Sequence, residues 1–173
     1  MSLVLCLLGM TAFVVPARAG EASIAYDGID VSDHQRDIDW ATVASDKRIK
    51  YVYIKATEGV TYQSRRYRTN LEQARKHGLK VGSYHFMRTG SSVHAQFENF
   101  RRVVKKNEQD LLPLIDIEVS QGWTNQQVRD SVKVFADLIE QHYGCKPMIY
   151  TSAYFYNNIL GRAFSEYPLF IAR

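Results

Sequence analysis

The chain has 173 residues, of which 46% are hydrophobic and 23% are charged, and its formal net charge is +4. These proportions are typical of a single globular domain, and they exclude a disordered or fibrous protein. The basic excess is small and falls on predicted helices, so it does not indicate a nucleic-acid-binding surface.

An apolar run without a charge occupies residues 3–15, and residues 17–19 read Ala-Arg-Ala. An apolar segment before an A-x-A site is typical of a cleaved secretory signal peptide. A membrane anchor, which is the alternative, needs a longer apolar span of about 20 residues. We therefore expect residues 1–19 to be a signal peptide and residues 20–173 to form the folded domain. The mature protein would be secreted or periplasmic, in the cell envelope, as a monomer without stable membrane insertion.

Six short apolar segments follow along the chain, and most are rich in Val, Ile and Tyr, as strands buried on both faces are. They are Gly28–Ser32, Tyr51–Thr57, Lys80–Phe86, Leu112–Val119, Pro147–Thr151 and Leu169–Ala172. Amphipathic segments between them predict helices at about residues 64–77 and 93–106, and a third from Thr124, as N-cap, to Gly144. The alternation of strand and helix predicts parallel βαβ units.

Two parallel architectures fit this alternation, an open doubly wound sheet and a (β/α)₈ barrel. No Gly-rich phosphate loop follows the first strand, and Asp30 stands at its end instead, which disfavours a nucleotide-binding sheet. Polar residues recur at the carboxyl ends of several strands, where a barrel places its active site. We therefore predict the α/β class and a TIM-like (β/α)₈ barrel with about six strands present. The last βα units would lie beyond residue 173.

Asp116 and Glu118, on the fourth predicted strand, are the strongest indication of chemistry. Side chains alternate along a strand, so both carboxyl groups share one face with Leu112 and Leu114. Mutual repulsion and apolar surroundings raise the pKa of at least one of them, which can then donate a proton while the other stays ionised. Glycoside hydrolysis needs such a pair. The alternative is an exposed strand end with two ordinary surface acids.

Other polar residues are predicted to surround this pair. Asp30 ends the first strand and would reach the pair across the mouth of a barrel, although it could also cap a turn. Tyr84 and His85 end the third strand, and Tyr150 ends the fifth. Aromatic rings and hydroxyl groups around carboxylates suit sugar rings, which have an apolar face and hydroxyl edges. Core packing is the alternative for any single tyrosine.

Six motifs stand in a fixed order along the chain. They are Asp30-Val31-Ser32-Asp33-His34-Gln35, Lys55-Ala56-Thr57-Glu58-Gly59, Tyr84-His85-Phe86, Asp116-Ile117-Glu118, Pro147-Met148-Ile149-Tyr150-Thr151 and Pro168-Leu169-Phe170-Ile171-Ala172. Over residues 26–173 this order resembles family 25 of the glycoside hydrolases. These are muramidases that cut peptidoglycan between N-acetylmuramic acid and N-acetylglucosamine.

The resemblance implies roles for the matching residues. Glu118 matches the acid that protonates the leaving oxygen, and Asp30 matches an acid at the floor of the site. Asp116 matches the partner that orients the substrate's acetamido group or stabilises the developing cation. The positions that match the substrate groove are Tyr84, His85, Tyr150, Lys55 and Glu58. The resemblance also implies a barrel fold, glycan strands of peptidoglycan as partner, retained anomeric configuration, and neither cofactor nor metal.

Two other functions are compatible with the residues. A metal-dependent hydrolase could use Asp30, His85, Asp116 and Glu118 as ligands. No second histidine stands at a strand end to support it. A wall-binding module, alternatively, would hold glycan without cutting it.

Overall fold

The computed structural model describes residues 27–172, so the predicted signal peptide lies outside the described residues. The centre of this part of the chain is one sheet of seven strands. The strands are β1 (Gly28–Val31), β2 (Tyr51–Glu58), β3 (Tyr62–Gln63), β4 (Lys80–Phe86), β5 (Leu114–Asp116), β6 (Met148–Ser152) and β7 (Leu169–Ala172). All six predicted strands are confirmed. The short β3, which pairs antiparallel with β2, was not predicted.

The order of the strands decides between the two predicted architectures. The parallel strands are neighbours in chain order, β1-β2-β4-β5-β6-β7. A doubly wound sheet reverses its order at a switch point, and this sheet does not. Sequential order is that of a barrel wall. The fold is therefore a curled, TIM-like α/β half-barrel, and the doubly wound alternative is wrong.

Helices cover one face of the sheet. They are α1 (Trp40–Ser45), α2 (Tyr67–Lys76), α3 (Val93–Val103), α4 (Asn125–Tyr143) and α5 (Ala153–Phe155), and a π-helical turn, Tyr156–Leu160, follows the last. The three predicted helices are confirmed as α2, α3 and α4. Thr124 caps α4 as predicted, since its Oγ1 accepts from the Gln127 amide at 3.2 Å. No helix within residues 27–172 is long and apolar enough to cross a membrane.

The two faces of the sheet carry different cores. Strand residues that face the helices, among them Ile54, Val81 and Ile115, are fully buried and pack in the main core with α4. The other face carries a small apolar cluster centred on Tyr53, Tyr84 and Leu114. Because side chains alternate along each strand, the same strands supply both clusters. The small cluster forms the base of the candidate site.

Candidate active site

A cavity of about 320 Å³ opens at the carboxyl ends of the strands, on the face that carries the small apolar cluster. Its walls come from β1, β2, β4, β5, β6 and β7 or from the residues that follow these strands. The lining residues are Asp30, Ser32, His34, Gln35, Tyr53, Lys55, Tyr84, Phe86, Leu114, Asp116, Glu118, Tyr150 and Phe170. A barrel fold places its active site at this end of the strands.

The structure brings Asp30, Asp116 and Glu118 to this one cavity. β5 ends at Asp116, so Glu118 lies beyond the strand, whereas the sequence predicted a strand to Val119. Ile117 still donates from its amide to the Tyr150 carbonyl at 3.0 Å, and its side chain is fully buried. That contact keeps the strand alternation for one more residue, which places Glu118 on the same side as Asp116.

Asp116 is only 7% exposed, whereas Glu118 is exposed to solvent. Burial, followed by the negative charge of Glu118 and a hydrogen bond with it, raises the pKa of Asp116 to about 8. Asp116 is therefore the member of the pair whose surroundings favour keeping a proton at neutral pH. The sequence had predicted one protonated acid and had assigned the proton to Glu118.

Asp116 also has a carboxyl oxygen without a partner. Its Oδ1 atom is buried and accepts no hydrogen bond from the described residues. A buried acceptor without a donor is costly, by about 1–3 kcal/mol. A substrate donor that reached this oxygen would remove that cost.

Two predicted tyrosines line the cavity beside the acids. Burial, and then the charges of Asp116 and Asp30, raise the pKa of Tyr84, so its hydroxyl keeps its proton. Tyr150 is half-buried, and its ring meets the Phe170 ring edge-on with centroids 5.2 Å apart. Aromatic edges and hydroxyl donors therefore surround the carboxyl groups.

Lys55 lines the cavity, and Glu58 lies behind it. Lys55 Nζ is 2.5 Å from Glu58 Oε2, and Arg88 Nε donates to Glu58 Oε1 at 2.7 Å. Burial of Glu58 opposes ionisation, but the hydrogen bonds from Lys55 and Arg88 outweigh it and lower the pKa of Glu58. Glu58 was predicted to bind substrate directly. The structure places it outside the cavity lining, as the link between two cations.

His85 does not line the cavity, contrary to the sequence-based expectation. Its side chain is fully buried on the helix side of β4. There Nδ1 is 2.7 Å from Thr57 Oγ1, Nε2 is 3.2 Å from Gln96 Oε1, and the ring stacks on Phe135. Alternation along β4 turns Tyr84 toward the cavity and His85 away from it. His85 therefore cannot join the acids as a metal ligand.

Asp33, in the loop after β1, anchors the neighbouring wall. It accepts hydrogen bonds from Tyr62 Oη at 2.6 Å, Ser64 Oγ at 2.7 Å and the amides of Arg65 and Arg66 at 3.1 Å. Burial opposes ionisation, but these hydrogen bonds prevail and lower the pKa of Asp33 to about 2. The loop is thereby fixed to the start of α2. The sequence motif contained Asp33, but its partners lie about thirty residues away.

The sequence also left several cavity residues unassigned. They are Ser32, His34, Gln35, Tyr53, Leu114 and Phe86, and Phe170, which was noted only within its motif. Most of them lie within the six motifs, so membership of a motif was the sequence signal that could have identified them. Tyr53 carries no such signal, because a tyrosine in a buried strand is equally consistent with core packing. Arg88, which reaches the site through Glu58, was missed as well.

Comparison with known proteins assigns the chain to a family. The family profile described as "Glycosyl hydrolases family 25" matches residues 29–173. YegX of Escherichia coli (strain K12) is 33% identical over 155 residues, which cover 87% of this chain and 57% of YegX. The autolytic lysozyme of Clostridium acetobutylicum is 33% identical over 145 residues, which cover 84% of this chain and 44% of that protein. The chain therefore spans about half the length of these relatives.

A solved structure agrees with the sequence matches. The family 25 glycosyl hydrolase from Bacillus anthracis superposes with a TM-score of 0.79 at 29% identity, over 90% of this chain and 76% of that one. The profile covers nearly all of the described residues, and the solved structure shares the fold. The chain belongs to family 25 of the glycosyl hydrolases.

Proposed function

We propose that the protein is a lysozyme-type muramidase. It hydrolyses the β-1,4 bond between N-acetylmuramic acid and N-acetylglucosamine in peptidoglycan. The observation that carries this proposal is the Asp116–Glu118 pair at the strand ends, with Asp116 buried and Glu118 exposed at the same cavity. Membership of the family and the autolytic lysozyme among the relatives support it.

The two acids have different tasks in this mechanism. Glu118 is the exposed member of the pair, so it can reach the oxygen of a bound glycosidic bond. As the glycosidic bond breaks, the proton held by Asp116 passes through Glu118 to the leaving oxygen. Asp116 is left ionised, and its charge stabilises the positive charge that develops on the sugar ring. The Oδ1 atom of Asp116, which lacks a donor, accepts from the acetamido N–H of the substrate. A water molecule then adds to the anomeric carbon and gives a proton back to the pair of acids.

The remaining walls suit a glycan. Tyr84 and Tyr150 offer hydroxyl groups to the sugar edges, while the exposed Phe170 offers apolar surface to the ring faces. Asp30 closes the floor of the site from β1. No step in this mechanism uses a metal or a cofactor.

The place of action follows from the substrate. Peptidoglycan lies in the cell envelope, and the pattern of residues 1–19 is that of an export signal. We propose that the protein works outside the cytoplasm, as a monomer, on glycan strands of the wall.

The test is Glu118→Gln, which keeps the shape of the side chain and removes its acid. We expect release of reducing ends from peptidoglycan to fall by about 10²–10⁴-fold, because general acid catalysis contributes that much. Binding to insoluble peptidoglycan should persist. Glu72→Gln, at an exposed position on α2, is the matched control and should keep full turnover.

The outcomes separate the proposal from its alternatives. Near-normal turnover of the Glu118→Gln variant would contradict the assignment of the acid. If the unaltered protein bound peptidoglycan without releasing reducing ends, the chain would instead be a wall-binding module.

A further inference from the structure

Helix α3 presents two buried amide side chains toward the loops that carry the cavity walls. Gln96 is fully buried and Asn99 is 3% exposed, and neither lines the cavity. Asn99 Nδ2 donates to the carbonyls of Gly59 and Tyr62, each at 3.0 Å. Buried amides are costly unless their hydrogen bonds are made, so such residues hold specific partners in place. Asn99 holds the turn that follows Glu58.

Gln96 holds the loop that follows β4. Its Nε2 donates to the Arg88 carbonyl at 2.8 Å, and its Oε1 accepts from the Arg88 amide at 2.9 Å. One side chain thus binds both polar groups of a single residue's backbone. Oε1 also lies 3.2 Å from His85 Nε2, which ties the amide to the core. The position of the Arg88 backbone is therefore set by Gln96.

From Arg88 a chain of charged contacts leads to the cavity. Arg88 Nε is 2.7 Å from Glu58 Oε1, and Glu58 Oε2 is 2.5 Å from Lys55 Nζ. Both cations also lie over the Phe86 ring, Arg88 Cζ at 4.8 Å and Lys55 Nζ at 4.9 Å from its centroid. Phe86 and Lys55 are cavity residues. Each link is a direct contact, so displacement of the Arg88 side chain would change the position of the Lys55 ammonium group through Glu58.

We propose that Gln96 is a positioning residue of the active site. By clamping the Arg88 backbone it fixes the ion-pair chain Arg88–Glu58–Lys55, and so fixes the Lys55 ammonium relative to the paired acids. Only the consequence for hydrolysis rests on the proposed function.

The charges around Asp116 determine in which direction its pKa should change when Gln96 is replaced. The ionisable groups that face it are Glu118 beyond β5, Asp30 on β1, Lys55 on β2, Tyr84 on β4 and Tyr150 on β6, and His34 lines the same cavity. Lys55 opposes the rise in the pKa of Asp116, whereas Glu118 and Asp30 add to it. Glu58 is shared by two cations. If Arg88 withdraws, Glu58 neutralises Lys55 alone, and the influence of Lys55 on Asp116 weakens.

The experiment uses the full chain with carboxyl-labelled aspartate and follows the titration of Asp116 by NMR. We expect Gln96→Met to raise the apparent pKa of the acidic pair by about half a unit or more. Arg88→Met should cause a similar rise. In the Arg88→Met background, Gln96→Met should add nothing further, because the two residues act in one chain.

Tyr143→Phe is the control for a merely structural effect. It deletes a buried hydrogen bond to the Val104 carbonyl, 3.0 Å long, in a part of the core that does not line the cavity. It should lower stability while leaving the titration of Asp116 unchanged. If Gln96→Met does not fold, Gln96→Asn keeps a buried amide but is one methylene too short to clamp Arg88, and the same rise is expected.

Two results would overturn the proposal. One is an unchanged pKa of Asp116 in a folded Gln96 variant, and the other is a rise that persists in full when Arg88 is already replaced. Because the titration is read without substrate, a chain that fails to cut peptidoglycan would refute the proposed function and leave this measurement intact. If both proposals hold, the alkaline limb of the rate profile moves by the same amount as the pKa.

Discussion

Asp116 is held in surroundings that oppose its ionisation. Burial is the largest cause, and the charge of Glu118 is the next, so its pKa stands near 8 against 3.8 for an ordinary aspartate. The folded state therefore binds this proton more tightly than the unfolded state does. The stability that the proton contributes is fully present below pH 3.8 and is lost as the pH rises toward 8. A site arranged for chemistry thus lowers stability at neutral and alkaline pH.

Replacing this carboxyl group should separate stability from activity. We expect Asp116→Asn to melt about 3 °C or more above the unaltered protein at pH 9, because no charge is then buried. The rate of peptidoglycan hydrolysis should fall by about 10²-fold or more, since stabilisation of the developing cation is lost. Thermal unfolding at pH 6 and pH 9 and release of reducing ends are the measurements.

Asp130→Asn provides the comparison for this variant. Asp130 lies on α4 and accepts from Gln126 Nε2 at 2.8 Å on the exposed surface of that helix. Neither its melting temperature at pH 9 nor its rate should change appreciably. A loss of stability at pH 9 in Asp116→Asn would contradict our account of the buried acid.

Among the elements, β4 illustrates most clearly how one strand serves two surfaces. Tyr84 and Phe86 face the cavity, while His85 faces the helices and packs on Phe135. Burial lowers the pKa of His85 to about 4, although the hydrogen bond with Gln96 opposes that shift. The histidine is thus neutral in the folded protein. The pKa of His85 is 6.5 in the unfolded state and about 4 in the folded state, so the unfolded state binds more protons between these two pH values. The free energy of unfolding therefore falls as the pH drops through this range, by about 3 kcal/mol in all.

Removing the histidine should weaken this acid sensitivity. We expect His85→Gln to lose about 3 kcal/mol less than the unaltered protein in free energy of unfolding between pH 7 and pH 4, as measured in urea. The exposed His94 on α3 supplies the control, and His94→Gln should keep the original pH dependence. An unchanged dependence in His85→Gln would show that His85 is not the group that titrates.

The elements were predictable to the extent that their signals were local and long enough. α4 has apolar residues at helical spacing between a Thr124 cap and Gly144, whose φ of 78° suits glycine, and its bounds were predicted correctly. α1 and α5 are too short to show a period, so they were missed. β5 was predicted too long, since Ile117 and Glu118 continue the strand pattern after the ladder has ended. Local pattern therefore identifies an element better than it locates the element's end.

At the scale of the whole molecule, the sheet brings together residues that are far apart in the sequence. Asp30 lies near the end of β1 and Asp116 ends β5, yet both line one cavity because parallel strands end at the same edge of a curled sheet. Within residues 27–172 no group of three or more His, Cys, Asp and Glu residues is arranged to hold a metal ion.

This arrangement leads to a prediction about metal removal. We expect the rate of peptidoglycan hydrolysis to be the same before and after exhaustive treatment with a chelator, because the proposed mechanism uses only the pair of acids. The measurement is release of reducing ends with and without chelator at fixed ionic strength. Activity that is lost to the chelator and restored by a divalent cation would favour the metal-dependent alternative.

The sequence by itself determined the class of fold, the main strands and helices, and the acids at the strand ends. Those conclusions rest on periodicity, caps and motif order, which act over a few residues and are written in the chain. Only the tertiary structure decided that His85 faces away from the cavity, that Asp116 is the buried member of the pair, and that Gln96 is linked to Lys55. The physical reason is that burial and charge coupling depend on distances in space, which strand order and curvature establish between residues far apart in sequence.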